Sequence, residues 1–182
     1  MIAWKFTRAG AVGPFSGVAW PALGVWLHAD GAAVIPCRSA VHACTLEDLP
    51  LWLDDELWRI ELSGPILRSH GKLAAPAGRL VARVEEWGAV AAAEYADACV
   101  ERAGARAAAS AGDAATVAAG LVEDAEECAE RARQVPSCAP TMAAGAALCA
   151  ARVAGLADSD GIAAERSWQA RWLADRLGLG TI

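Results

Sequence analysis

Apolar and polar positions are patterned differently in the two halves of the chain. Up to Trp87 the apolar residues come in short runs separated by turn formers. The runs Ile2 to Thr7, Gly24 to His28, Ala32 to Ile35 and Ala40 to Ala43 lie between Gly13-Pro14, Trp20-Pro21, Asp30-Gly31 and Pro36, which predicts strands. Asp30-Gly31 between two apolar runs predicts a hairpin. Leu57 to Leu62 alternates Trp58, Ile60 and Leu62 with Arg59 and Glu61, as a half-buried strand does, and Ile66 to Arg68, Lys72 to Ala75 and Arg79 to Glu86 add three more candidates. Before them, Thr45-Leu46-Glu47-Asp48 has the form of a capping box, and Pro50 restricts the segment through Leu53 to short turns. The first half therefore predicts a mostly antiparallel sheet with one short helix.

From Ala89 onward the spacing changes to three and four. Four helices are predicted. The first runs from Ala89 to about Ala109 with Val90, Ala93, Ala96, Val100 and Ala103 on one stripe, and the second runs from Asp113 to Pro136 with Val117, Leu121, Ala125, Cys128 and Ala132. The third runs from Thr141 to about Leu156. The fourth starts after Ser159 or Asp160 and carries Ile162, Trp168, Trp172, Leu173 and Leu177 up to Gly178. The fold class is thus α+β, with a Trp-rich sheet domain over 1–87 packed against an Ala-rich four-helix bundle over 88–182.

Composition sharpens that division. Of 46 Ala, 32 fall after residue 87, whereas six of eight Trp and 31 of 49 large apolar residues fall within residues 1–87. A net charge of -6 and a pI near 5.1 leave no basic stripe for a phosphate backbone, so nucleic acid is not an expected partner. Met1 to Phe6 lacks the pattern of a secretory signal, and no stretch reaches about 18 uncharged apolar residues, so a cytosolic chain without a membrane span is expected. Six Cys in 182 residues are too sparse for a disulfide scaffold.

The segment Ser39-Ala40-Val41-His42-Ala43-Cys44, followed by Leu46 to Leu53 and then Leu57 to Gly64, resembles a domain of unknown function found in bacterial and phage proteins. In that family a Gly-aromatic-His-Ala-Cys strand leads into a short helix and an E-x-x-G strand; Ala40 stands here where the pattern has Gly. The resemblance covers about residues 2–87 and implies a fold without an activity. The helical half resembles Ala-rich segments of bacterial immunity-type proteins only in a general way.

The chemistry centres on His42. His42 and Cys44 project to one face of an extended segment about 7 Å apart at Cα, too far for a direct nucleophile-base pair. A catalytic reading takes Cys44 as nucleophile and His42 as base, with Asp48, Asp54, Asp55 or Glu61 as orienting group. At that separation His42 works better with a group from another strand, such as Glu61 or Arg38, and Arg38, Trp52 and Trp58 are walls of a ligand pocket. Cys37, His42 and Cys44 with His28 or His70 would make a zinc set, but their spacing matches no standard knuckle and no C-x-x-C occurs, so no metal is assigned, and any cofactor stays unknown. Cys99, Cys128 and Cys149 sit among Ala, where a thiol packs like a larger methyl. The leading expectation is a small-molecule-binding or enzymatic domain with its pocket near His42. The rival is an interaction module, of immunity or assembly type, binding a protein partner or a second copy through the helical half.

Overall fold

The computed structural model describes residues 1–31 and 33–180, which form two compact units, Met1–Glu85 and Glu86–Leu179. The α+β class holds, with strands confined to the first unit and four long helices to the second.

The first unit contains two antiparallel sheets where one was expected. Strands β1 (Ile2–Thr7), β2 (Leu27–His28), β4 (Glu56–Ser63) and β7 (Ala77–Arg83) make a sheet in the order β1-β4-β7-β2, and β3 (Val41–Ala43), β5 (Leu67–Ser69) and β6 (Lys72–Ala75) make a second in the order β3-β6-β5. Alternation explains why they stack. Ala3, Ile60 and Leu62 of the first sheet meet Val41, Ala43, Leu73 and Ala75 of the second in one buried cluster. Val81 has no partner in β4, because Arg59 pairs with Ala82 and Ile60 with Leu80, so a bulge bends this ladder. The hairpin expected at Asp30-Gly31 loses its second arm. Position 32 lies outside the described residues, and beyond it only a bridge between Ile35 and Ser39 forms, across a tight turn that Pro36 begins. The predicted short helix contracts to a single 3-10 turn, Leu49–Leu51, and Thr45 bonds the Asp48 carboxylate at 2.8 Å instead of a backbone amide.

The second unit has α1 (Ala89–Ala107), α2 (Asp113–Gln134), α3 (Ala139–Ala157) and α4 (Gly161–Arg176). Their faces keep Ala96, Ala103, Ala125, Ala132, Leu173 and Leu177 of the predicted stripes buried and depart from them elsewhere. Val90, Val117 and Ile162 are exposed, while Tyr95, Cys99, Glu165 and Gln169 are buried. Trp168 and Trp172 are engaged within the bundle: the Arg102 guanidinium lies 4.2 Å from the Trp168 ring, and Trp172 packs on Tyr95 at 5.2 Å. Among the described residues one helical stretch, Pro136–Ala157, is long and apolar enough to cross a membrane by length and composition, and over half of it is buried inside the protein. Where α3 turns into α4, a Cβ on Gly161 would collide with the carbonyl oxygen of Ala154. Gly161→Ala is accordingly expected to destabilise the bundle by about 2–3 kcal/mol, read as a lower denaturation midpoint in far-UV circular dichroism; an unchanged midpoint would show that this turn opens freely.

Candidate functional site

The site begins where two strands stop pairing. Trp4 and Cys44 exchange backbone hydrogen bonds of 3.0 and 2.8 Å in an isolated antiparallel bridge. In a continued ladder the next such pair would be Phe6 with His42. Instead the His42 carbonyl accepts a hydrogen bond from the Lys5 side chain, Nζ to O 2.9 Å. Ala3 and Lys5 share the face of β1 that looks towards the second sheet. The gap continues into a cavity of about 440 Å³ walled by Trp4, Phe6, Phe15 and Trp52, with Lys5, Cys37, His42, Cys44 and Lys72 also among its lining residues. Gly13, Pro14 and Ser16 close one side from the loop after β1.

Each polar group is held. Cys37 adopts a left-handed backbone (φ 64°), which turns its amide to donate to His42 Nε2 at 3.0 Å. That bond assigns the proton of the neutral imidazole to Nδ1. Burial first, then the charges of Lys5 and Lys72, hold the His42 pKa below its ordinary value, so the ring is neutral at pH 7. At the mouth Lys72 Nζ donates to Cys37 Sγ at 2.7 Å and lies 5.7 Å from the Trp52 ring centre. Trp52 is fixed by its indole N–H, which donates to the Gly71 carbonyl at 2.7 Å, and by edge contact with Phe15. Deeper in, burial pushes the Cys44 thiol up to about 12 despite nearby Lys5, with Asp48 adding to the rise, so the sulfur stays protonated. Burial lowers the Lys5 amine to about 8, against a small opposing influence of Cys44.

Of the residues singled out in the sequence, His42, Cys44 and Trp52 meet at this cavity, whereas Arg38, Trp58 and Glu61 do not line it. Glu61 is bound to Arg79, with Nε at 2.8 Å and an ion pair at 2.7 Å, and Arg79 also stacks on Trp26. Trp58 turns its indole N–H to Thr7 and Glu56, at 3.1 and 3.2 Å. Arg38 sits exposed in the turn between Ile35 and Ser39. A protonated Cys44 and an imidazole whose lone pair already accepts from Cys37 also make a poor nucleophile and base. Among the described residues no three His, Cys, Asp or Glu side chains converge on a metal position.

Lys5 and Lys72 were not singled out in the sequence, yet a signal was there. They are the only two Lys among 16 basic residues, the other 14 being Arg, and both line this one cavity. No Asp or Glu lines it, and among the described residues neither Lys forms an ion pair. No family model, curated protein or solved structure matches the chain.

Proposed function

We propose that this chain is a small-molecule-binding domain whose pocket beside His42 takes a flat, apolar organic acid. The observation that carries the reading is the composition of the wall: four aromatic side chains and two lysines, with no carboxylate to neutralise them. Desolvating ammonium groups without a partner is unfavourable, and a bound anion offsets that cost while its rings displace water from the indoles. A volume near 440 Å³ suits a ligand of one or two rings. The six free thiols fit a reducing compartment, which favours a cytosolic setting. The rival interaction module draws on exposed Val90, Val117, Leu148, Leu156 and Ile162, spread over all four helices; nothing in their chemistry names a partner.

The test is titration of the whole protein with benzoate, 4-methylbenzoate and indole-3-carboxylate, monitored by the fluorescence of the pocket indoles. Saturable binding is expected. It should weaken about tenfold, or ~1.4 kcal/mol, in Trp52→Ala and in Lys72→Gln, and by a similar factor for the neutral 4-methylbenzamide. Binding of the amide as tight as that of the acid, or no saturable binding by any of these acids, would refute the reading.

A further inference from the structure

We propose that Lys5 is the reactive amine of a carbonyl-condensing site, forming an imine with an aldehyde or ketone group on a ligand in the cavity that Lys5 lines. This deepens the pocket reading and rests on it.

The first argument is one of residue choice. The chain meets its need for positive charge with Arg at 14 of 16 positions, and the two exceptions share one cavity. A guanidinium supplies charge, hydrogen bonds and stacking, but it does not release a proton to become a nucleophile. What lysine adds at these two positions is an amine.

The second argument is the setting of Lys5. Its Nζ donates to the His42 carbonyl at 2.9 Å, and Trp20 lies 5.4 Å away on another side. A neutral amine held by one such N–H keeps its lone pair for an electrophile. Burial and the absence of a carboxylate partner favour that neutral form, and with a pKa of about 8, about a tenth of the amine is free base at pH 7. Lys72, with its amine on Cys37 at the mouth, is placed to hold the ligand's carboxylate.

The step balances without a further reagent. The Nζ lone pair attacks the carbonyl carbon; the C–N bond forms, and the carbonyl π pair moves to oxygen, which takes a proton. Nitrogen then loses its proton, and the protonated hydroxyl leaves as water while C=N forms. The sum is amine plus carbonyl giving imine plus water, with no change of oxidation state.

The probe is 4-formylbenzoate, incubated with the whole protein and sodium cyanoborohydride, with the reduced adduct located by peptide mass mapping. The adduct is expected on Lys5, at least about tenfold faster than on the Met1 α-amine, which serves as an internal reference. Competition by 4-methylbenzoate should suppress it. Its rate should climb through pH 8 as the amine loses its proton. The ionisable groups that line the cavity with Lys5 are His42, Cys37, Cys44 and Lys72. His42 is already neutral and Cys44 still protonated in that window, and Cys37→Ser and Lys72→Arg separate the other two. Lys5→Arg should abolish the adduct while Lys72→Arg keeps it; should Lys5→Arg fail to fold, the wild-type map and Lys5→Met decide. Labelling spread evenly over Lys5, Lys72 and Met1, or an unmodified Lys5 in protein that still binds 4-methylbenzoate, overturns the imine and leaves the pocket. Failure of every aryl acid to bind overturns both.

Discussion

Replacing Glu56 with Ala is expected to destabilise the sheet unit by about 3 kcal/mol and to weaken aryl-acid binding by roughly tenfold, ~1.4 kcal/mol. One buried carboxylate organises the loop after β1. Glu56 accepts from the amides of Gly10 and Ala11 at 3.2 and 3.0 Å, from Thr7 Oγ1 at 3.3 Å and from the Trp58 indole at 3.2 Å, and it pairs with Arg83 at 3.4 Å. Asp55 adds a bond from the Ala9 amide at 2.9 Å. Ala11 has φ 55°, a left-handed conformation that a Cβ disfavours, so the turn persists because these acceptors hold it. Thr7 is fully buried, and its hydroxyl would lose the carboxylate that accepts from it. The same loop then supplies Gly13, Pro14, Phe15 and Ser16 to the cavity wall, so releasing its base removes preorganisation from the pocket.

Glu56 also sets an acid limit. Burial raises its pKa, but the Ala11 and Gly10 amides, Arg83 and the Trp58 indole together outweigh that, leaving it below the ordinary 4.5. A carboxyl whose pKa is lower folded than unfolded contributes its full stability above the unfolded value. That contribution is lost as pH falls through the folded value. The sheet unit should therefore weaken below about pH 4.5, and Glu56→Gln, which keeps shape without charge, should flatten that part of the profile. The measurement is tryptophan-detected urea unfolding from pH 3 to 7. Parallel profiles for wild type and Glu56→Gln would count against the assignment.

Glu165→Ala is expected to cost the helical unit about 3–4 kcal/mol. The Glu165 carboxylate is fully buried and takes Arg102 Nε at 2.9 Å on each oxygen, the other Arg102 nitrogen at 2.8 Å and Arg106 Nε at 3.2 Å. Both arginines remain about 30% exposed along their side chains, so the pair bridges interior and solvent. Deleting the anion leaves two cations facing an emptied site. Removing both sides together, as Glu165→Leu with Arg102→Met, should recover much of the loss, since an apolar replacement avoids desolvating charge. Chemical denaturation monitored at 222 nm reads the effect, and a shift under about 1 kcal/mol in Glu165→Ala would show the carboxylate behaving as a surface group.

How legible each segment is in the sequence depends on how much contrast it carries. β1 and β6 match their predicted spans residue for residue because a short apolar run and the turn formers beside it agree there. The four helices begin and end within a few residues of their caps for the same reason. Their inward faces were read only in part: Ala96, Ala103, Ala125, Ala132, Leu173 and Leu177 are buried as expected, but Val90, Val117 and Ile162 are exposed, because Ala spreads so evenly along the helices that the stripe has no sharp edge. Glu165 and Gln169 point inward only because a partner waits there: Arg102, 63 residues away in sequence, for the first, and the Ala147 carbonyl for the second. The division of seven strands into two sheets depends likewise on long-range stacking that no local period records. At the site, His42, Cys44 and Trp52 were legible as a local constellation. Arg38, Trp58 and Glu61 were drawn in by chemistry alone, and the structure gives the last two other partners. Lys5 was hidden by sitting in an ordinary strand pattern, and only the scarcity of its residue type marked it.

With both lysines lining one hollow, every other basic side chain of this protein apart from histidine is a guanidinium. Acylating tags, amine-directed cross-linkers and resins activated for primary amines would find few handles beyond the α-amino end, which is itself tied to the Leu62 carbonyl at 2.9 Å. Reagents meant to decorate a surface would instead act as plugs for the cavity.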